Sequence, residues 1–275
     1  ARRDPRATSR QGPQDGRGRT GMVVGGGGFI GGYLVAALRR HGWRVVLAVR
    51  PRVRLRDDER ACDLQKMLRA EDWTPLLEGV DVVVNAAGIL REEKGQTFEA
   101  IHIAAPLALA QACVASGVPR FVQVSALGIP DDGPFIASKH RFDGQLGTLP
   151  LSSVVLRPSV VYSVSGSYGG TSLLRALAGF PGMQWLPGDG RWQVQPLAAE
   201  DLGELVARAA AGTMVGTYEV GGPAPLSLRD YQDQWRRWLR IPGERIVAVP
   251  DACVSQAVSV MERLGRGPVG RTMWR

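Results

Sequence analysis

The chain has 275 residues, of which 44% are hydrophobic and 22% charged, a balance typical of a folded globular protein rather than a disordered one. Its length fits one α/β domain with a smaller appended lobe better than several independent domains. The net charge of +8 would suit a nucleic-acid partner, but six arginines and two aspartates in the first twenty residues carry half of it. No basic helix with interleaved aromatic residues follows, which argues against nucleic-acid binding.

No export or membrane signal is recognisable in this sequence. Residues 1–20 are basic without an apolar segment, and we predict a disordered tail there rather than a signal peptide. The longest apolar stretch, Ile103–Ala115, is shorter than the roughly 20 residues of a membrane helix. Cys62, Cys113 and Cys253 lack CxxC spacing and predict packed thiols in a reducing compartment. We expect a soluble or peripheral protein of the cytoplasm or the mitochondrial matrix.

Beyond the tail, short β-branched runs alternate with longer helical patterns. The predicted strands are Met22–Val24, Arg44–Val49, Ala61–Leu64, Asp81–Asn85, Phe121–Val124 and Ser153–Leu156. The predicted helices between them are Phe29–Arg40, Leu64–Leu77, Thr97–Ser116 and Ile136–Leu146. This rhythm is typical of βαβ units, so the expected fold class is α/β, a doubly wound parallel sheet of the Rossmann type.

After Pro158 the pattern changes to loops rich in glycine, proline and tryptophan. Helices are predicted near Thr171–Ala178, Ala199–Ala211 and Ser227–Leu239. We therefore expect a dinucleotide-binding core over 21–160 and a small C-terminal α/β lobe over 161–275. That lobe would pack on the same domain and face a substrate or a partner protein.

The most specific motif is a glycine loop after the first predicted strand. Gly25, Gly28 and Gly31 follow one another at three-residue spacing and open a helix. Gly25 would permit a tight turn, Gly28 a close approach to a pyrophosphate, and Gly31 helix packing on the strand. The amide groups at the helix start, near Phe29 and Ile30, would face the diphosphate. The motif predicts a bound nicotinamide dinucleotide.

The end of the second predicted strand indicates which dinucleotide is bound. NAD-preferring Rossmann domains place a carboxylate there for the ribose hydroxyls, but no Asp or Glu occurs from Gly16 to Arg56. The strand instead runs into Arg50, followed by Arg52 and Arg54. A guanidinium suits a 2′-phosphate, so NADP(H) is the expected cofactor and NAD(H) the alternative. A solvated basic loop is the other interpretation of these arginines.

Several ordered motifs resemble the extended and atypical short-chain dehydrogenase/reductases, which include NAD-dependent epimerases and dehydratases. The matching segments are VVGGGGFIGGYLV, VDVVVNAAGIL, GVPRFVQVSALG and LRPSVVY, within about Gly21–Gly222. Within that superfamily the chain is similar to an atypical branch that includes bacterial NAD(P)-binding proteins and the Rossmann-type accessory subunit of respiratory complex I.

The resemblance implies positions for the rest of a bound dinucleotide. Asp63 and Leu64 would lie at the adenine, although Asp63 is equally explained as a helix N-cap. The ribose would lie over three consecutive residues, Ala86, Ala87 and Gly88, with Ser125, Lys139 and Pro158 towards the nicotinamide.

Active members of this superfamily use a serine or threonine with a YxxxK pair, and here the pair departs from that pattern. The tyrosine position holds Phe135, which has no titratable proton and cannot be a general acid or base. Ser125 or Ala126 could occupy the serine position. Lys139 is retained and could supply a proton if burial lowers its pKa. A lysine without a proton-transfer role is the alternative.

Three hypotheses follow for the function. The first is an NADP(H)-binding protein with little or no dehydrogenase activity, a structural or redox-sensing subunit of a larger complex. The second is an active oxidoreductase or epimerase that uses Lys139. The third is an RNA-binding or scaffolding derivative of the fold, which only the basic tail supports. No His, Cys or carboxylate cluster predicts a metal, and His102 is assigned to a helix face.

Overall fold

The structure is a computed structural model that describes residues 16–93, 95–166, 170–242, 245–250, 252–254 and 256. Of the predicted tail, residues 1–15 lie outside the described residues. The remaining residues, 16–20, join the folded body, since the Gly16 amide donates to the His41 carbonyl and the first strand begins at Thr20.

Seven parallel strands form the central sheet. In chain order the first six are β1 Thr20–Val24, β2 Arg44–Val49, β3 Glu59–Ala61, β4 Val82–Asn85, β5 Arg120–Val124 and β6 Ser153–Pro158. The seventh strand, Gly216–Val220, comes from the C-terminal part of the chain. The order across the sheet is this seventh strand, then β6, β5, β4, β1, β2 and β3. The connection direction reverses between β1 and β4, and ligands of doubly wound sheets bind at such a point, outside the carboxyl ends of the strands.

In the part of the chain that the structure describes, the α-helices are α1 Phe29–Arg40, α2 Ala70–Trp73, α3 Ala105–Ala115, α4 Pro134–Leu146, α5 Gly170–Ala178, α6 Ala199–Ala211 and α7 Leu228–Leu239. Of these, α2, α3 and α4 contribute to the core on one face of the sheet, and α1 and α6 to the core on the other. Single turns of 3₁₀ helix lie at Thr74–Leu76 and Pro130–Asp132, and a π-helical segment, Glu99–Ala104, leads directly into α3. Alternate β1 residues enter opposite cores, with Met22 and Val24 on the face of α3 and Val23 on the face of α1 and α6. The sheet is therefore buried on both sides, as the predicted fold class requires.

Short strands complete the C-terminal part: β7 Val161–Tyr162, β8 Met183–Pro187, β9 Gln193–Val194, β10 Leu197–Ala198, β11 Gly216–Val220, β12 Leu226–Ser227 and β13 Arg245–Val249. A third apolar cluster joins α5, α7 and β8. However, α6 packs on α1, and β11 pairs with β6 of the central sheet. The segment after residue 160 therefore contributes to the Rossmann core as well as to a lobe.

Two sequence predictions were wrong in the segment between β2 and β4. The strand predicted at Ala61–Leu64 is found at Glu59–Ala61, and the helix predicted from Leu64 to Leu77 is reduced to α2 and one 3₁₀ turn. The Asp63 carboxylate accepts the Gln65 amide, which turns the chain, and Asp72 accepts the Arg69 amide, which starts the helix there. The chain between them is free to form the wall of a cavity.

Candidate functional site

A cavity of about 760 Å³ opens at the carboxyl ends of β1, β2 and β4, where the connection direction reverses. It is lined by eight of the residues that the sequence assigned to a dinucleotide: Gly25, Gly28, Arg50, Asp63, Leu64, Ala86, Ala87 and Gly88. Six other predicted residues do not line it: Phe29, Ile30, Gly31, Ser125, Lys139 and Pro158. A volume of this size is in the usual range for small-molecule and cofactor sites.

The glycine loop forms one wall of the cavity through backbone geometry. Gly25 has a φ of +81°, and a Cβ there would lie 2.8 Å from the Ala87 nitrogen. A Cβ on Gly31 would lie 2.1 Å from the Gly25 carbonyl oxygen, so α1 packs tightly on the turn. Gly28 is the N-cap of α1 and has no side chain to satisfy the first helical amides. These amides remain available to an anion such as a pyrophosphate.

Arg50 lies at the rim beside the wall that replaces the predicted helix. Its Nη2 donates to the Gln96 Oε1 at 3.3 Å, and Gln96 and Lys66 line the same cavity. Arg52 forms an ion pair with Glu59, and its guanidinium is therefore already neutralised. Arg50 is thus the arginine of this loop that faces the cavity, with a neutral amide as its neighbour.

The segment after β4, residues 86–89, forms the floor of the cavity. Its Ala86 amide donates to the Val24 carbonyl at 2.9 Å, and its Ala87 amide donates to the Asn85 side-chain oxygen at 3.2 Å. The Lys139 ammonium donates to the Ala87 carbonyl at 2.7 Å from below. A Cβ on Gly88 would lie 3.1 Å from the Lys139 Nζ, so that glycine lies directly against the lysine.

Lys139 and Ser125 are buried behind this floor. Burial lowers the pKa of Lys139 to about 8, and the nearby Asp143 carboxylate opposes that shift. The Ser125 hydroxyl is likewise engaged, since it donates to the Asp143 Oδ2 at 2.8 Å. Arg157 donates to the same oxygen at 3.0 Å, while burial raises the pKa of Asp143. Both predicted catalytic groups are therefore engaged with protein partners.

Phe135, at the position where the resemblance places the tyrosine, packs among other aromatic side chains. It packs edge-on against His102, with ring centroids 5.6 Å apart, and against Phe98 at 6.4 Å. His102 is 1% exposed, and burial, with a contribution from Lys139, lowers its pKa to about 2. Aromatic rings therefore occupy the position where the resemblance places the catalytic tyrosine.

Sequence reasoning missed three polar residues of this region. His102 contacts the floor, Asp143 holds Ser125, and Gln96 holds Arg50. Asp143 lies four residues after Lys139 on α4, a spacing that places both on one helix face and could have indicated it. His102 and Gln96 act across long sequence separations, for which the chain gives no local signal. The described residues contain no group of His, Cys, Asp and Glu arranged for a metal.

Comparisons with known proteins agree with this architecture. The model of the NAD dependent epimerase/dehydratase family matches residues 22–176, more than half of the chain. A ceramide reductase of Caulobacter vibrioides is 29% identical over 152 residues, covering 51% of this chain and 45% of that protein. Subunit 9 of the NADH dehydrogenase [ubiquinone] 1 alpha subcomplex, mitochondrial, of Arabidopsis thaliana is 27% identical over 258 residues, covering 82% and 61%. The chain thus spans about half of these relatives' length.

A solved structure shows the same fold. The UDP-glucose 4-epimerase of Thermus thermophilus, in complex with NAD, superimposes with a TM-score of 0.67 at 21% identity. The match covers 84% of this chain and 86% of that one. In the part of this chain that the structure describes, no helix has the length and apolar character needed to cross a membrane.

Proposed function

The chain belongs to the NAD dependent epimerase/dehydratase family, and we propose that it binds NADP(H) in the glycine-loop cavity with little or no dehydrogenase activity. The fit rests on the glycine cradle, where added Cβ atoms at Gly25 and Gly31 would collide with backbone. It also rests on the uncapped amides at the start of α1, which suit a diphosphate.

Arg50, at the rim of the cavity, supports a preference for NADP(H) over NAD(H). Arg50 lines the cavity, and its contact there is the neutral Gln96 amide rather than a carboxylate. A guanidinium forms paired, charge-assisted hydrogen bonds to a phosphate, whereas ribose hydroxyls are better held by a carboxylate. Lys66 lines the same cavity but pairs with the Asp63 carboxylate at 3.5 Å. The Arg50 guanidinium therefore supports recognition of the 2′-phosphate.

The single observation that carries the absence of turnover is the phenyl ring of Phe135. A bound nicotinamide supplies a hydride, but reduction of a carbonyl also needs a proton from a titratable group. Phe135 has none, and its ring packs against His102 and Phe98. Ser125 donates its hydrogen to Asp143. Binding and proton transfer are thus separated in this chain.

A cofactor held without turnover suits a structural or redox-sensing subunit of a larger assembly. The Arabidopsis relative, a named subunit of mitochondrial NADH dehydrogenase, supports this hypothesis and a mitochondrial setting. The RNA-binding alternative depended on the basic tail, of which residues 1–15 lie outside the described residues.

An active oxidoreductase is the second candidate, and one observation favours it. Burial brings the pKa of Lys139 to about 8, which suits a proton donor near neutral pH. The Caulobacter relative also carries the name of a reductase. Against this candidate, the Lys139 ammonium already donates to the Ala87 carbonyl behind the floor.

One experiment separates the two candidates. The purified protein is denatured and the released nucleotide identified, and the native protein is assayed with NADPH and a panel of aldehydes and ketones. We expect released NADP(H) and no turnover above the background of a Lys139→Met variant. Turnover that Lys139→Met abolishes would support the oxidoreductase instead.

A further inference from the structure

We propose that His102 is a positioning residue for the bound dinucleotide, which it serves by fixing the backbone of the cavity floor at Gly88 and Ile89. This inference rests on the proposed function and adds to it a residue outside the superfamily's YxxxK pair. The His102 Nε2 accepts the Ile89 amide at 3.0 Å. Gly88 and Ile89 both line the cavity.

The floor is held at two points on either side of Gly88 in the chain. The Lys139 ammonium donates to the Ala87 carbonyl at 2.7 Å, and His102 accepts the Ile89 amide. A Cβ on Gly88, the residue between them, would lie 3.1 Å from the Lys139 Nζ and 3.3 Å from the His102 Nε2. The two side chains therefore support the floor directly beneath its glycine.

The hydrogen bonds also fix the tautomer of His102. Because Nε2 accepts an amide hydrogen, it carries no proton, and the single proton of the neutral ring is on Nδ1. Nδ1 lies 2.8 Å from the Ser138 Oγ and donates to it. The Ser138 hydroxyl in turn donates to the Phe135 carbonyl at 2.9 Å. A continuous chain of hydrogen bonds thus runs from α4 through the imidazole to the floor.

The floor transmits this position to the glycine loop. A Cβ on Gly25 would lie 2.8–2.9 Å from backbone atoms of Ala86 and Ala87, so the turn and the floor are in direct backbone contact. A shift of the floor therefore moves the wall that receives the diphosphate. Loss of the His102 acceptor is expected to weaken NADPH and NADH alike, because both place the same diphosphate and ribose there.

A pair of amide variants tests the acceptor atom itself. A glutamine side chain can place its oxygen near the Nε2 position, whereas an asparagine reaches only as far as Nδ1. We expect His102→Gln to keep the wild-type Kd within about threefold, and His102→Asn and His102→Leu to weaken both nucleotides about tenfold, the scale of one lost hydrogen bond. His41→Asn, on a histidine that contacts Glu204 instead, is the matched control and should bind as wild type.

A second variant and a spectrum keep the test valid if the buried substitutions fail to fold. Ser138→Ala removes the acceptor of the Nδ1 proton, and we expect about threefold weaker binding of both nucleotides. Nitrogen-15 spectra of the wild-type imidazole should show a protonated Nδ1 and an unprotonated Nε2 at pH 7.

The outcomes separate the inference from the function beneath it. Equal losses in the Gln, Asn and Leu variants, wild-type binding in Asn and Leu, or a protonated Nε2 would each overturn the role of His102 while cofactor binding stands. A wild-type protein that binds neither nucleotide would overturn both.

Discussion

The glycine-loop half of the cavity and the proposed catalytic corner behind its floor contain different kinds of structure. The first is built from backbone: the Gly25 turn, the amides of α1 and the floor after β4. The second depends on side chains, and there Phe135 fills the tyrosine position while Lys139 and Ser125 bind protein partners. Backbone binding survives side-chain replacement, so a chain can retain cofactor affinity after its proton donor is gone.

The largest expected effect tests the backbone half. Gly31→Ala places a Cβ 2.1 Å from the Gly25 carbonyl, a contact that backbone atoms must move to relieve. We expect a loss of roughly 3 kcal/mol in the free energy of unfolding, together with loss of NADPH binding. Gly32→Ala is the control, since a Cβ there meets nothing within 4 Å and should stabilise α1 by about 0.5–1 kcal/mol. Denaturant titration measures both, and a stable, binding Gly31→Ala would contradict the cradle.

Next in size is the specificity of the rim. Arg50→Ala should weaken NADPH by roughly 1–3 kcal/mol, the scale of a charge-assisted hydrogen bond, and leave NADH nearly unchanged. Arg54→Ala, on the same loop, does not line the cavity and should leave both affinities unchanged at moderate salt. Calorimetric titration distinguishes the cases. Equal losses for both nucleotides would refute the 2′-phosphate assignment.

A pH series examines the buried lysine of the catalytic corner. The pKa of Lys139 is lowered from 10.5 to about 8 in the folded protein, so the folded state disfavours the bound proton. Its contribution to stability is complete above pH 10.5 and is lost as the pH falls through 8. The free energy of unfolding of the wild type, minus that of Lys139→Met, should therefore rise with pH between 8 and 10.5 by up to about 1.4 kcal/mol per unit. A flat difference would place the ammonium in water.

The smallest effect on binding is expected at the tyrosine position. Phe135→Tyr adds one hydroxyl in the catalytic corner, and Phe135 does not line the cavity. The NADPH Kd should stay within about twofold, and carbonyl reduction should rise above the wild-type background because a titratable phenol is introduced. Calorimetric titration measures the Kd, and steady-state assays with the aldehydes of the panel measure the rate of carbonyl reduction. Abolished binding would show that α4 contributes to the cavity more directly than the structure indicates.

Local pattern was sufficient to single out the glycine loop and Arg50 from the sequence. Gly25 and Gly28 stand between a buried strand and an amphipathic helix, Gly31 lies in the first turn of that helix, and Arg50 directly follows the next strand, so neighbouring residues define them. By contrast, β11 was not predicted, because it is an edge strand exposed at four of its five positions and shows no apolar alternation.

Contacts between distant segments explain what else was missed. The bond between His102 and Ser138 joins residues 36 positions apart, and the one between Arg50 and Gln96 joins residues 46 apart. In the wall at Leu64, side chains of Asp63 and Asp72 bond to backbone amides and override the helical periodicity. Tertiary pairing and local capping, rather than composition, decide these positions.

The most direct test of cofactor binding is a calorimetric titration of the wild-type protein with NADPH and NADH at low salt. We expect both nucleotides to bind and NADPH to bind more tightly. Tighter binding of NADH would contradict the role of Arg50, and no heat with either nucleotide would contradict the glycine-loop site itself.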